Sequence, residues 1–331
     1  MIYYGMILLS ALLFSTEFLF TNNYRKENGS GLESVARLAL YQGITGVVLM
    51  LIVNRFRFRS TWFSFLIACV YACIVLLYSY MSVKALDYAN LSVYSMFSML
   101  GGMLLPAVFG ILFCREPFTV GKIACCVLIF ASLYMVQTGG KELGGEGDNP
   151  GTSDKAGARG SDAERYSDQK NLDDCRDSMT AAEKKRVAMT GSAHAGEYYA
   201  GVFILNGSVG VLSKFHQMNT DLAADSGSFT ILVRMICVTI CLTFMFCKKY
   251  TFRISLRSLI YAAGGSCLNN LANLMLLVAL LILPASVQYP LVTGGVIIFS
   301  TVVDRLSGNH VCRRNVLAAG IAFAAVCCMA L

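Results

Sequence analysis

Charge is what this sequence has least of. Only 14% of its 331 residues are Asp, Glu, Lys or Arg, and 56% are hydrophobic. An average soluble domain carries about 25% charged residues. The deficit is deeper than the average suggests, because many charges sit in one stretch, residues 139–196. Histidine is scarce as well: His194, His216 and His310 are the three, far apart in the chain. No CxxC pair and no Cys/His spacing accompanies them, so a zinc site is not expected, and no metal or cofactor is. There is no Walker-type glycine pattern, which excludes direct use of ATP. No Asp pair and no His/Glu cluster lies in the apolar runs, so a membrane-embedded enzyme lacks its catalytic groups. The first apolar stretch, Ile2–Phe20, has neither a positive leading region nor an A-x-A-like site, and reads as a permanent helix rather than a signal peptide.

Thirteen cysteines are present. Most lie inside apolar runs, as Cys69, Cys73, Cys125, Cys126, Cys237 and Cys241 do, where a thiol behaves as a small hydrophobe. The net charge of +7 does not point to nucleic acid. The basic residues flank apolar runs (Arg55, Arg57 and Arg59; Lys248, Lys249 and Arg253), which is where membrane-surface cations belong.

What remains is a series of long apolar runs. Crossing a bilayer takes roughly 20 apolar residues in a helix. Helices are expected near 2–22, 35–53, 62–84, 91–113 and 119–137, and again near 198–218, 228–247, 256–282, 284–303 and 314–331. The fold class is therefore all-α and polytopic, with ten transmembrane helices. Residues 139–196 between the two sets are too polar to build a core and are expected to be a disordered tether; a surface helix over Asp173–Arg186 is the alternative.

The two sets look alike. Thr16-Glu17-Phe18 sits opposite Ser213-Lys214-Phe215, Arg37 opposite Arg234, Ala85-Leu86 opposite Ala279-Leu280, and Gly101-Gly102 opposite Gly294-Gly295. Their collinear order makes a duplication the expected origin. An odd number of helices per half turns one half over relative to the other, the inverted-repeat plan of many secondary transporters.

Several of these residues carry a resemblance. Ala85-Leu86-Asp87-Tyr88, a serine-rich helix with Pro106, and Arg115-Glu116-Pro117-Phe118-Thr119 resemble the EamA-type repeat of the drug/metabolite transporter superfamily. Arg37 falls where that repeat has an early Arg in its second helix. The second half resembles it through Arg234, Ala279-Leu280, Pro284-Ala285-Ser286 and Gly294-Gly295. It departs at Gly308-Asn309-His310, where the repeat usually has Glu. The resemblance spans residues 1–138 and 197–331. It implies a ten-helix transporter of a small metabolite or drug, proton-coupled or an exchanger, in the cell membrane, with its N-terminus in the cytoplasm. The basic residues support that orientation in the first half and oppose it in the second.

Polar groups inside the runs are the candidate site, because a charge at the bilayer centre costs about 2.5–3.5 kcal/mol. Glu17 is a candidate proton or cation site, or a carboxylate solvated near the interface. Lys214 could approach it by pseudo-symmetry, or snorkel to the surface. Arg37 and Arg234 are read as interfacial anchors, with gating or anion contact as the alternative. Asn269, Asn270 and Asn273 are expected to share a helical face. Gln288, Tyr289, Thr293, Tyr80, Ser98 and Asn206 complete the set, which either lines a wet cavity or glues helices together. Pro106, Pro290, Gly101, Gly102, Gly294 and Gly295 mark two helices as hinges or as tight packing. The expected partners are a small solute and the lipid bilayer. Secondary transport is the favoured function; a lipid-carrier flippase or a non-transporting sensor is the alternative.

Overall fold

Capping residues set where the helices begin and end. The computed structural model describes residues 2–88, 91–113, 181–219, 221–280, 285–306 and 317–324, with isolated positions between 121 and 134; the side chains of 181–194, 277, 280, 285–290 and 304 lie outside this description. Helix α1 (Ile2–Asn28) carries Arg25 and Lys26 in its last turn, favourable charges at a helix C-terminus, and stops at Gly29, whose φ of +74° glycine adopts without steric cost. Helix α2 (Leu32–Val53) follows after a three-residue turn and ends at Asn54. Thr61 caps α3 (Trp62–Tyr88), its hydroxyl accepting from the Ser64 amide at 3.2 Å. Helix α4 (Leu91–Phe113) contains Pro106.

In the second half α5 runs over Ala181–Met218 and α6 over Ser226–Lys248. The Asp225 carboxylate accepts from the Ser228 amide at 2.9 Å and fixes the start of α6. Ser255 caps α7 (Leu256–Leu280) in the same way. Helix α8 covers Ala285–Leu306, and residues 317–324 are helical.

Among the described residues there is no strand. Five helices are long and apolar enough to cross a membrane: α1 to α4 and α6; α8 contributes the shorter apolar stretch Leu291–Val303. Their outer faces carry exposed aliphatic stripes at helical spacing, such as Ile44, Val48 and Ile52 on α2 and Leu66, Val70 and Leu77 on α3. Water would penalise such stripes and lipid does not. The chain is an integral membrane protein.

Two expectations change. The helix beginning the second half starts at Ala181 rather than near residue 198, because Ala181-Ala182-Glu183-Lys184-Lys185-Arg186 are good helix formers that extend α5 back into the polar stretch. Helix α1 likewise runs past the expected residue 22. The expected helices over 119–137 and 314–331 lie outside the described residues, apart from isolated positions and 317–324.

The packing order is the main architectural fact. Helix α1 lies between α7 and α8, α2 between α7 and α6, α3 between α6 and α5, and α4 between α5 and α8. The eight helices thus close into a ring in which first-half and second-half members alternate. Among the described helices, those of the same half barely touch, and the contacts run between the halves. Matching α1 with α5, α2 with α6, α3 with α7 and α4 with α8 leaves this neighbour order unchanged.

The bonds at the helix ends give the directions. At one end, here end A, Asn28 donates to Ser258, Arg37 donates to the Thr251 carbonyl and Tyr41 donates to the Phe252 carbonyl. At end B the Arg59 amide donates to Ser228, Thr61 donates to the Leu222 carbonyl, and Ser64 meets His216 at 2.9 Å. Helix α1 therefore runs from B to A and α5 from A to B. Each of the other matched pairs is likewise antiparallel.

The α4–α5 contact is the tightest in the ring. A methyl group added at Gly101 would fall 2.2 Å from the Phe203 carbonyl oxygen, and one at Gly207 would fall 2.7 Å from the Gly101 carbonyl. Only hydrogen side chains let these backbones approach so closely.

Candidate functional site

Helix spacing decides which polar side chains meet inside the ring. On α1 the outward face is marked by Leu8 and Leu12, both more than 40% exposed. Glu17 lies on the opposite side, with Thr21 one turn further on donating to its carboxylate at 3.2 Å. Glu17 is half-buried. It stands about 16 Å from the C-terminal end of α1, at 1.5 Å per residue, so it is near the middle of the bundle.

Its cationic neighbour is Arg234 on α6, rather than Lys214. Arg234 lies about 12 Å beyond Ser226 along the axis of α6, again at 1.5 Å per residue. The interfacial placement expected for Arg234 is therefore corrected. The true helix start at Asp225 puts it more than two turns inside the span. Its Nε and Cδ lie 3.4 Å from where a Cβ on Gly46 would stand, and Asn270 Nδ2 is 3.5 Å from the same point. Arg234 is half-buried. The contact ion pairs among the described residues are Arg25–Asp87 and Arg37–Glu33, so Glu17 and Arg234 stand more than 4.0 Å apart, charged neighbours not in contact. Gln42 on α2 stands near Glu17, its Nε2 3.8 Å and Glu17 Cγ 3.9 Å from the Cβ position on Gly265.

A hydrogen-bonded group from three helices faces the same interior. Tyr78 meets Ser98 at 2.8 Å and Tyr94 at 3.1 Å, while Asn206 donates to the Ser98 carbonyl at 2.6 Å. Both tyrosines lie in the field of Glu17. Tyr71 accepts from Ser213 at 3.3 Å and lies in the field of Arg234.

The three asparagines of α7 separate. Asn270 is buried and turns to α2, donating to the Ser266 carbonyl at 2.7 Å. Asn273 donates to the Asn269 carbonyl and side chain at 2.8 and 2.9 Å. Residues 267, 271 and 278 form the lipid face of α7, so 269 and 273 point the other way, inward. Asn273 is nevertheless exposed. An exposed amide on an inward face marks space inside the ring.

The remaining candidates fall elsewhere. Tyr80 packs on the cluster of Tyr24, Val35, Leu38, Val83 and Ala262 near end A. Lys214 is half-buried, one turn from the end of α5 at end B. Arg37 bonds Glu33 and Thr251 at end A, as an interfacial anchor does. Thr293 is buried in α8. Gly102 faces Asn206, Gly294 faces the Phe323 ring and Gly295 faces Ala11; with Gly101 and Pro106, which abuts Gly210, they occupy helix contacts here. Pro290 lies in α8, and its side chain and those of Gln288 and Tyr289 are outside the described residues.

Sequence reasoning missed Gln42, Tyr71 and Thr21, and misplaced Arg234. A usable signal existed for the arginine. Asp225 three residues before Ser228 is a capping pattern, and it fixes the register of α6. Gln42 had no signal beyond being an amide in an apolar run.

The two ends of the interior differ. In the ring α1 and α3 are diametrically opposed, yet at end A Arg25 bonds Asp87 across it at 2.8 Å. Lys84 on α3 reaches Ser30 in the α1–α2 turn, and Val83 packs with Tyr24 and Leu38. At end B, Arg59, Thr61 and Ser64 bond ring neighbours, through Ser228, the Leu222 carbonyl, His216 and the Ala224 amide.

A recess of about 150 Å³ lies between α2 and α7, lined by Leu49, Met50, Val53, Cys267, Asn270, Leu271 and Leu274. It is almost wholly apolar.

No protein-family model matches the chain, and no curated protein sequence matches it.

Proposed function

We propose that the chain is a secondary transporter that carries a small polar solute by alternating access, built on the EamA-like plan of two inverted five-helix repeats. The observation that carries this reading is a pair of opposite charges, Glu17 and Arg234, held apart in the interior of the ring, which is bridged at end A by Arg25 and Asp87. Each such charge costs about 2.5–3.5 kcal/mol at the bilayer centre; simple packing gives no return for that cost. The exchange-invariant ring order and the antiparallel direction of matched helices support the inverted repeat. They also supply the motion, since one arrangement closed at end A has a related arrangement closed at end B. In this reading Glu17 is the coupling group, a carboxylate that holds a proton or cation and gives it up as the chamber changes side. The cell membrane and a cytoplasmic N-terminus are the proposed setting, which makes end B the cytoplasmic end.

The test is solute flux in proteoliposomes with an imposed proton gradient, comparing the native chain with Glu17→Gln. Gradient-driven flux is expected in the native chain and its loss in the variant. Gradient-driven flux that survives in Glu17→Gln removes the coupling role. A native chain that moves no solute in either direction sinks the carrier reading.

One observation favours a second reading, the flipping of a lipid-linked carrier. The apolar recess between α2 and α7 reaches Asn270, which adjoins Arg234 at Gly46. Translocation of a fluorescent lipid-linked anion, measured in the same vesicles, separates the two.

A further inference from the structure

The link between α2 and α3 at end B carries a charge pattern that neither the helix packing nor the proposed transport uses. Residues 55–59 are Arg-Phe-Arg-Phe-Arg, and Trp62 follows at the start of α3. All three arginines are exposed. None of their guanidinium groups makes a hydrogen bond or an ion pair among the described residues, whereas Arg25 and Arg37 each have a carboxylate partner. A guanidinium offers five donors in a planar fork that matches phosphate. Aromatic rings share the exposure: Phe56 at 74%, Phe58 at 43% and Trp62 at 74%.

The backbone beneath these side chains is tied down across the start of α6. The Arg59 amide donates to Ser228 at 3.0 Å, and the Asn54 side chain donates to the Arg57 carbonyl. Asn54 also stands against Gly227, where a Cβ would fall 2.8 Å from its Oδ1. Arg55 and Phe56 have φ of +52° and +56°, a left-handed backbone that glycine adopts at less cost. Two bulky residues in succession there store strain at an exposed turn, which points to a role for their side chains.

Apolar stripes lead up to the link from both helices. On α2 the exposed stripe Ile44, Val48 and Ile52 ends just before it; on α3 Trp62 begins the stripe continued by Leu66 and Val70. The link therefore stands where the lipid-facing surface stops, at headgroup level, the depth that tryptophan favours. The acids described at this end are Asp221 and Asp225. Neither pairs with an arginine, and Asp225 is occupied in capping α6. The positive charge of the link is thus left for an anion from outside the chain. A phosphate alone would leave the rings in water; a lipid covers them and supplies the phosphate as well.

We propose that the α2–α3 link is a docking site for an anionic phospholipid, with Arg55, Arg57 and Arg59 around its charged headgroup and Phe56, Phe58 and Trp62 against its glycerol and upper acyl carbons. In the orientation proposed above this is the cytoplasmic leaflet, where anionic phospholipids set the surface charge.

Trp62 is the single tryptophan of the chain, so its fluorescence reports this site alone. The full-length protein is reconstituted in phosphatidylcholine vesicles. An equal fraction of the lipid is replaced by phosphatidylcholine or by phosphatidylglycerol brominated in the upper acyl chain, bromine being a contact quencher. Half-maximal quenching is expected at an anionic-lipid fraction at least about threefold lower than for brominated phosphatidylcholine, from the attraction of each cation to an anionic surface. Arg55→Gln with Arg57→Gln and Arg59→Gln is expected to abolish that difference. Each single substitution is expected to reduce it, and serves if the triple variant does not fold. Lys248→Gln with Lys249→Gln, at end A, is expected to leave it unchanged. Inorganic phosphate, compared with chloride at equal ionic strength, is expected not to relieve the quenching. The lipid site is refuted by equal quenching from the two lipids in the native chain, or by a preference that survives loss of the three arginines. An equal loss in the variant of Lys248 and Lys249 refutes it as well. Displacement by inorganic phosphate would make the link a site for soluble anions and overturn it too. None of these measurements involves solute flux, so the carrier reading stands or falls separately.

Discussion

End A and end B of the ring are made from the same eight helices and differ in the contacts their ends make. End A has long helix overhangs, with α1 continuing to Asn28 and α3 to Tyr88. Those extra turns bring Arg25 and Asp87 within 2.8 Å across the full ring. At end B, α2 stops at Asn54 and α3 begins just after Thr61, so the link between them is spent on neighbour contacts such as Arg59 to Ser228. The difference teaches that closure here is a property of helix length and terminal charge.

The most severe way to break the comparison is to make the end A closure permanent. Arg25→Cys with Asp87→Cys, in a background without the thirteen native cysteines, should form a disulfide under oxidant and abolish flux, with recovery on reduction. Undiminished flux in the oxidised form would show that end A never opens.

Accessibility sharpens the same contrast. Asn273→Cys should react with a membrane-impermeant thiol reagent from the end B side. Thr21→Cys should react at least about tenfold more slowly from end A, since an equilibrium held shut by about 1.4 kcal/mol lowers the open population tenfold. Asp87→Asn should narrow that gap by loosening the latch. Equal labelling of the two positions from both ends would sink the one-sided closure.

A smaller effect is expected at the end B cap. Burial opposes ionisation of Asp225, but hydrogen bonds from Ser228 outweigh it and hold the carboxyl below the usual carboxylate range. A depressed folded-state pKa contributes stability that is present above the unfolded value, about 3.9, and is lost as pH falls through the folded value. Asp225→Ala should cost about 1 kcal/mol at neutral pH. The difference in Tm from the native chain should shrink once the pH is taken below the carboxylate range. A difference constant with pH would remove the charged cap as its cause.

The smallest expected change is in the stability of the latch. Asp87 and Arg25 are partly exposed, at 30% and 17%, so Asp87→Asn should lower stability by only about 0.5 kcal/mol. Exchanging the charges, Arg25→Asp with Asp87→Arg, should restore it, as read by denaturant midpoint. A charge swap no better than either single reversal would show that Tyr24 and Val83, rather than the ion pair, hold end A.

Much of the fold could be read from residue order. The long apolar runs, the capping residues at Thr61, Asp225 and Ser255, and the stop at Gly29 are local features, and local features follow from backbone hydrogen bonding and side-chain period alone. The candidate site was legible only in parts. Glu17, Ser98, Asn206 and Asn273 stood out as polar groups in apolar helices. That Ser98 and Asn206 are partners, and that Asn269 and Asn273 face inward while Asn270 turns to α2, depended on how each helix is rotated against its neighbours. Tyr78 rather than Tyr80 faces Glu17, and two residues apart on a helix means nearly opposite sides.

By itself the sequence determined that this chain lives in lipid and is helical, because a bilayer leaves a strongly apolar backbone few other ways to satisfy its hydrogen bonds. It also determined which few side chains carry charge where charge is expensive. Only the tertiary structure decided that Glu17 answers to Arg234 and not to Lys214, and that the ring is pinned across its diameter at one end. Those facts depend on alternating helices from the two halves, an arrangement set by packing between residues some two hundred positions apart, to which periodicity along the chain is blind.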